Sequence, residues 1–397
     1  MIKRRRLGSS KLHQKTLEIH GGGSLADSEL RVGVDRVAAY PLGTAESGRK
    51  KFAGEEEGFV YTRINNRTVD KLERRLAALE GAEACLATSS GMSAIDLISK
   101  YLAHGGRIVS SNRLYGGVFH LFENILPQLG IETYFVKNPH DPNEWREAEF
   151  NADAKFFHLE NPSNPLIDIF DVAEIAKIAH SYKIPLVVDS TLATPALLKP
   201  LKLGADIVVH SLSKYMGDGE VIGGAILGKK ELIDDLKKTW FRDTGPCMSP
   251  DNASIFLAHI ESLSGRMREH CNNAEKLARF LFTHPKVNKV FYPSVGPNTE
   301  RDKKLMPKGF GGLMAFEVKG GLEAARIVLD NLELIWHAPN IGEARSLALI
   351  PWETTHGEMS DQDKLKAGIT PGVIRLSLGR EDYRDVERDL DKRLILV

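Results

Sequence analysis

The sequence predicts an α/β fold: a mostly parallel seven-stranded sheet followed by a smaller α+β C-terminal domain. Three observations predict it. Seven short candidate strands recur at 84–88, 107–111, 132–136, 155–159, 185–189, 206–210 and 223–227. Helical stretches near 91–103, 115–128 and 170–182 separate several of them, the alternation expected of βαβ units. After Gly245-Pro-Cys-Met-Ser-Pro250 the order changes. A helical stretch over 252–282, interrupted near Ser264-Gly265, leads into short strand runs at 287–292, 312–318 and 372–378, with a helix over 322–332.

Taken in order, residues 1–60 are rich in Gly, Lys, Arg and Glu with weak periodicity, and read as an N-terminal arm rather than a domain. The start, Met1-Ile-Lys-Arg-Arg-Arg6, is basic, but no apolar core follows it as a secretory signal requires, so a solvated terminus is expected, with a mitochondrial leader as the alternative. A helix begins near Thr68, which can cap it; Val69, Leu72, Leu76 and Leu79 share one face and Gly81 can close it. The runs Ile184-Pro-Leu-Val-Val188 and Ala205-Asp-Ile-Val-Val209 are continuous and β-branched, the pattern of strands buried on both faces. These elements place a large domain at 61–253 and a small one at 254–397.

Lys+Arg and Asp+Glu both number 53, so formal charge is zero, which argues against nucleic acid or an anionic membrane as partner. No apolar run approaches the length of a membrane span. Cys85, Cys247 and Cys271 are an odd, widely spaced set without metal-ligand spacing; they suit a reducing cytoplasm, with neither a disulfide framework nor a metal.

The chemistry gathers where the strands end, which is where open α/β sheets bind ligands. One run ends in Asp189 and the next leads to His210-Ser-Leu-Ser-Lys-Tyr215, offering Lys214 flanked by Ser211 and Ser213. A lysine that can condense with an aldehyde and an aspartate that can hold a pyridine nitrogen protonated are what a pyridoxal phosphate site requires. Thr88-Ser-Ser-Gly-Met-Ser93 follows a strand and opens a helix, so Ser90, Gly91 and Met92 can bring backbone N–H groups to a phosphate. Tyr115 begins the next helix after a strand and can stack on a ring. Glu160-Asn-Pro-Ser-Asn-Pro165 forms a rigid loop presenting Asn164 to a ring substituent.

Read together, Tyr61-Thr-Arg63, Asn66-Arg-Thr68, Ser89-Ser-Gly-Met92, Tyr115-Gly-Gly117, Glu160, Ser163-Asn-Pro165, Asp189-Ser-Thr191, Ser211-Leu-Ser-Lys214-Tyr and Val373-Ile-Arg375-Leu-Ser-Leu-Gly379 resemble the Cys/Met-metabolism pyridoxal phosphate family. The resemblance runs from about residue 58 to the C-terminus, in order. It implies the aminotransferase-like fold (fold type I) and pyridoxal 5'-phosphate as cofactor. It gives Lys214 the covalent and proton-transfer role, Asp189 the pyridine nitrogen and Tyr115 the ring face. Ser90, Gly91, Met92, Ser211 and Ser213 match phosphate-binding positions, and Glu160, Asn164 and Thr191 lie in the cofactor-binding motifs. Tyr61 and Arg63 resemble residues that reach the phosphate of a neighbouring subunit's cofactor, implying a dimer with shared active sites and the family's usual tetramer. Arg375 resembles the clamp on a substrate α-carboxylate, with Asn340 and Ser346 of the late loop as further substrate-binding positions.

Within that family, members differ in substrate. Methionine γ-lyases usually carry a cysteine two positions after the tyrosine, where this chain has Gly117. Ala338-Pro-Asn-Ile-Gly-Glu-Ala-Arg-Ser-Leu347 is more similar to the loop of O-acetylhomoserine sulfhydrylases, and Arg345 replaces the glutamate of cystathionine enzymes. Thr354-Thr-His356 points the same way. Arg67 stands where the family usually has proline, and Gly217-Asp-Gly-Glu220 departs from its common pattern beside the lysine. The resemblance therefore implies γ-replacement on an O-acylhomoserine by a sulfur nucleophile, giving homocysteine or a thioether in methionine biosynthesis. The alternatives are γ-elimination of the methionine γ-lyase type and cystathionine γ-synthase or lyase chemistry. A non-catalytic pyridoxal phosphate-binding protein is disfavoured by the full set of site residues. Residues 217–220 and 338–346 are expected to shape the pocket.

Overall fold

The computed structural model describes residues 12–23, 33–152 and 154–397. The basic start Met1–Arg6 lies outside these. The large sheet holds β1 (Ala84–Thr88), β2 (Arg107–Ser111), β3 (Glu132–Val136), β4 (Ala154–Glu160), β5 (Leu186–Asp189), β6 (Ile207–Ser211) and β7 (Gly224–Gly228), in the spatial order β1-β7-β6-β5-β4-β2-β3. Only β7 runs against its neighbours β1 and β6; the remaining pairs are parallel. Burial on both faces explains the β-branched runs. Val187 packs with Ile95 and Ile98 of helix Gly91–Ala103, while Val188 packs on the other face with Ile175 and Ile178 of helix Val172–Ser181.

A second sheet carries β8 (Val287–Phe291), β9 (Leu313–Val318), β10 (Trp336–His337), β11 (Leu347–Leu349) and β12 (Val373–Ser377), ordered β10-β11-β12-β9-β8. All its pairs are antiparallel except β10 with β11. Arg375 sits at the middle of β12, opposite Leu349 on one side and Ala315 on the other. Among the described residues no helix is long and apolar enough to cross a membrane.

Several local expectations are corrected. Helix Arg67–Glu80 is capped by Asn66, whose side chain accepts the Thr68 and Val69 amides, while Thr68 Oγ1 donates to Gly33 O from inside the first turn. Gly81 closes that helix at φ 82° as expected. The stretch 115–128 is not one helix: α-helix Gly116–His120 widens to a π turn over Leu121–Ile125 and tightens to a 3-10 turn over Leu126–Leu129 ahead of Gly130. The break in the long helical stretch falls at Glu261-Ser262, between helices Pro250–Ile260 and Leu263–Thr283. Within the N-terminal arm, weak periodicity does not prevent two short helices, Gln14–His20 and Ala45–Ala53. Buried Glu18 accepts from the Ser264 backbone at 3.2 Å, tying the first of these onto the start of helix Leu263–Thr283.

Candidate active site

Parallel pairing brings the C-terminal ends of β4, β5 and β6 to one edge, with Glu160 in register beside Asp189. Over this edge opens a cavity of about 590 Å³. Its floor is an anion cradle. Ser90 caps helix Gly91–Ala103 through a reciprocal pair with Ser93, at 3.0 Å in each direction. A Cβ on Gly91 would lie 2.5 Å from Ser211 Cβ, so glycine is what lets the helix start rest against the end of β6. Gly91, Met92 and Ser211 line the cavity there, at the positive end of the helix.

Asp189 is buried, and its Oδ1 accepts the Thr191 amide at 2.9 Å. Thr191 Oγ1 in turn accepts the Ser211 amide at 2.8 Å, locking the two strand ends together. Glu160 accepts twice, from the Tyr115 amide at 2.7 Å and the Asn164 amide at 2.8 Å, and so sets both loops. Burial pushes both carboxyls upward, and Glu160 further because Asp189 lies beside it. Ser213 is committed to the turn, donating to Gly223 O at 3.2 Å and accepting Gly223 N at 3.1 Å.

Lys214 Nζ donates to Asn340 Oδ1 at 2.8 Å, across from the small domain's loop. Burial, then the nearby Arg375 charge, push its amine down to about 8, with Glu343 opposing. Arg375 is itself buried, which pushes it down to about 10. Its two Nη atoms donate to Asn164 Oδ1 and Asn340 O, each at 3.3 Å, and no carboxylate partners it among the described residues. A buried guanidinium held only by neutral acceptors is suited to an incoming carboxylate. Tyr115 stands at the rim, 39% exposed. Gly116 allows this, since a Cβ there would strike Thr355 O at 2.0 Å, and a Cβ on Gly117 would lie 2.7 Å from Tyr115 Cε1.

Thirteen of the expected residues thus meet in one cavity, counting Ser90, Thr191, Ser213 and Asn340 with those above. Three do not. Tyr61 and Arg63 lie elsewhere: Tyr61 bridges to Ala39, and Arg63 sits over the Tyr61 ring, donates to Arg242 O and lines a separate cleft of about 940 Å³. Ser346 is a correction. It is buried off the cavity, its hydroxyl donating to Glu381 and accepting the Gly379 amide, both at 2.9 Å, so its one donor is spent within the small domain. Sequence reasoning marked 217–220 and 338–346 but singled out neither Glu343 nor the glycines around it. Gly342, at φ +79° and with a would-be Cβ 2.5 Å from Tyr215 N, lays that loop flush on the lysine's backbone.

The donor set fits pyridoxal phosphate. The cradle at Gly91 is one that a Cβ would fill, and a depressed lysine amine and a buried carboxyl share its cavity. A family model described as Cys/Met metabolism PLP-dependent enzyme matches residues 15–395. The chain is 39% identical to an L-methionine gamma-lyase of Fusobacterium nucleatum subsp. polymorphum, covering 98% of each. It is 38% identical to an O-acetyl-L-homoserine sulfhydrylase of Leptospira meyeri, covering 96% of each. Among solved structures, a candidate O-acetylhomoserine (thiol)-lyase from Campylobacter jejuni, holding N'-pyridoxyl-lysine-5'-monophosphate, superposes with a TM-score of 0.92 at 33% identity, over 97% of this chain and 100% of that one.

Proposed function

This chain belongs to the Cys/Met metabolism PLP-dependent enzyme family, and within it we propose a γ-replacement enzyme that joins a sulfur nucleophile to Cγ of O-acetylhomoserine. It is a pyridoxal phosphate-dependent trans-sulfuration enzyme acting on homoserine-derived amino acids. Gly117 carries the finer one. The thiol that methionine γ-lyases usually have at this position would need a Cβ 2.7 Å from Tyr115 Cε1, and here the tyrosine ring takes that space. The elimination reading draws its support from the 39% identity to an L-methionine gamma-lyase.

When bound, the cofactor supplies an electron sink conjugated with the substrate's amino nitrogen. The chain supplies the rest. Arg375 grips the α-carboxylate and orients Cα toward Lys214. Asp189 would hold the proton on the cofactor's pyridine nitrogen, while Gly91, Met92 and Ser211 would seat its phosphate. The free Lys214 amine accepts the proton from Cα and passes it on; an amine pushed down to about 8 is neutral in a useful fraction near pH 7.5. Tyr115, at the rim, assists departure of the acyloxy group. The net change breaks Cγ–O, releases acetate and forms Cγ–S.

Tyr61 and Arg63 lie away from their own cavity, which supports a dimer in which they complete the partner's phosphate site, with a tetramer as the expected assembly and the cytoplasm as the expected location. Purified enzyme given O-acetylhomoserine and sulfide is expected to release homocysteine and acetate in equal amounts. Absence of homocysteine overturns the reading.

A further inference from the structure

A polar chain runs outward from the lysine that no motif singled out. Lys214 Nζ donates to Asn340 Oδ1, and Asn340 Nδ2 donates to Glu343 Oε1, each at 2.8 Å. An amide side chain has one acceptor end and one donor end. Turned the other way, Asn340 would present N–H groups to an ammonium and push it away. A carboxylate can only accept, so Glu343 selects the orientation in which oxygen faces the lysine. We propose that Glu343 is a positioning residue, acting through Asn340 to hold the Lys214 amine where it exchanges protons with substrate.

The surroundings of Glu343 are built to keep it there. Gly219, at φ +78°, has no room for a Cβ, which would lie 2.1 Å from Glu343 Cγ. Gly342 presses the same loop onto the Lys214 backbone, and its amide donates to Ser377 Oγ at 3.1 Å. Asn340 also accepts Arg375 at its backbone oxygen, so one residue meets both the carboxylate clamp and the proton-transfer amine. Two charges act on that amine: Arg375 disfavours its protonation and Glu343 favours it. The unusual Gly217-Asp-Gly-Glu220 turn thereby gains a reason, because it makes the space that Glu343 fills. The proposal rests on Lys214 as the base, and not on whether the reaction ends in replacement or elimination.

The substitution E343Q keeps the shape but adds a donor, which can pair with Asn340 Oδ1 and turn the amide over. Two measurements are made. On the holoenzyme, kcat is expected to fall about tenfold with KM within about twofold, the size expected for losing one hydrogen bond to a charged group. On the full chain freed of cofactor, trace acetylation by acetic anhydride across pH, read at the Lys214 peptide by mass spectrometry, is expected to show its midpoint moved to lower pH. Support requires both changes; either one alone, or neither, overturns the proposal. E343D keeps the charge on a shorter arm and serves if E343Q does not fold: kcat is expected below wild type, and an unchanged kcat overturns the proposal.

Discussion

Lys214 and Arg375 are two cations buried in one cavity, and the arginine makes the lysine harder to charge. Burial is the larger cause for both, but the Arg375 charge is the second cause at Lys214. The sign for pH follows. The freed lysine must be neutral to accept a proton, and its pKa lies below the ordinary lysine value, so the acidic limb of kcat is expected to rise through about pH 8. R375A removes the neighbouring cation, lets the lysine pKa climb, and moves that limb to higher pH in a pH–rate profile. It also removes the carboxylate clamp, so kcat/KM is expected to drop at least about 100-fold, the scale of a lost buried charge pair. Asp189 and Lys214 were legible in the sequence because each follows an apolar run at or just past a strand end, and Arg375 because it stands in the Arg375-Leu-Ser-Leu-Gly379 motif. Glu343 was not, because its meaning depends on Gly219 lying against it across the fold. Ser346 shows the converse: a polar residue in the right loop whose hydrogen bonds are spent on Glu381 and Gly379.

Elements set the cradle. Helix Gly91–Ala103 begins against Ser211 only because residue 91 lacks a side chain, and G91A must push the helix start back from the phosphate position. Titration of the apoprotein with pyridoxal phosphate is expected to show affinity reduced about tenfold or more, while far-UV circular dichroism stays unchanged. A change confined to capping has a different signature. N66A deprives helix Arg67–Glu80 of its cap and is expected to lower stability by about 1 kcal/mol in a denaturant titration with little effect on cofactor binding. The central strands β5 and β6 were readable because burial on both faces selects uninterrupted apolar runs. Helix 115–128 misled because its apolar spacing persists through the π and 3-10 turns; Pro127 and Gly130 were the available signs of the change. Strands β10 and β11, of two and three residues, are too short to carry a period.

At the scale of the whole molecule, the large sheet supplies the cofactor edge and the small domain supplies Asn340, Glu343 and Arg375, so the cavity exists only where the two meet. Tyr61 and Arg63 contribute nothing to it within one chain. A shared site predicts complementation: K214A and R63A chains, each inactive alone, are expected to regain about a quarter of wild-type activity when mixed dimers form, because one site of a mixed pair is intact. Failure to regain any activity would place Arg63 outside the active site. The central claim concerns the fate of Cγ, and one partition measurement addresses it most directly. O-acetylhomoserine is supplied with increasing sulfide, and homocysteine and 2-oxobutyrate are quantified together. Homocysteine rising with sulfide until it dominates is the predicted result. A product stream of 2-oxobutyrate that sulfide does not divert, with methanethiol released from methionine, would contradict it.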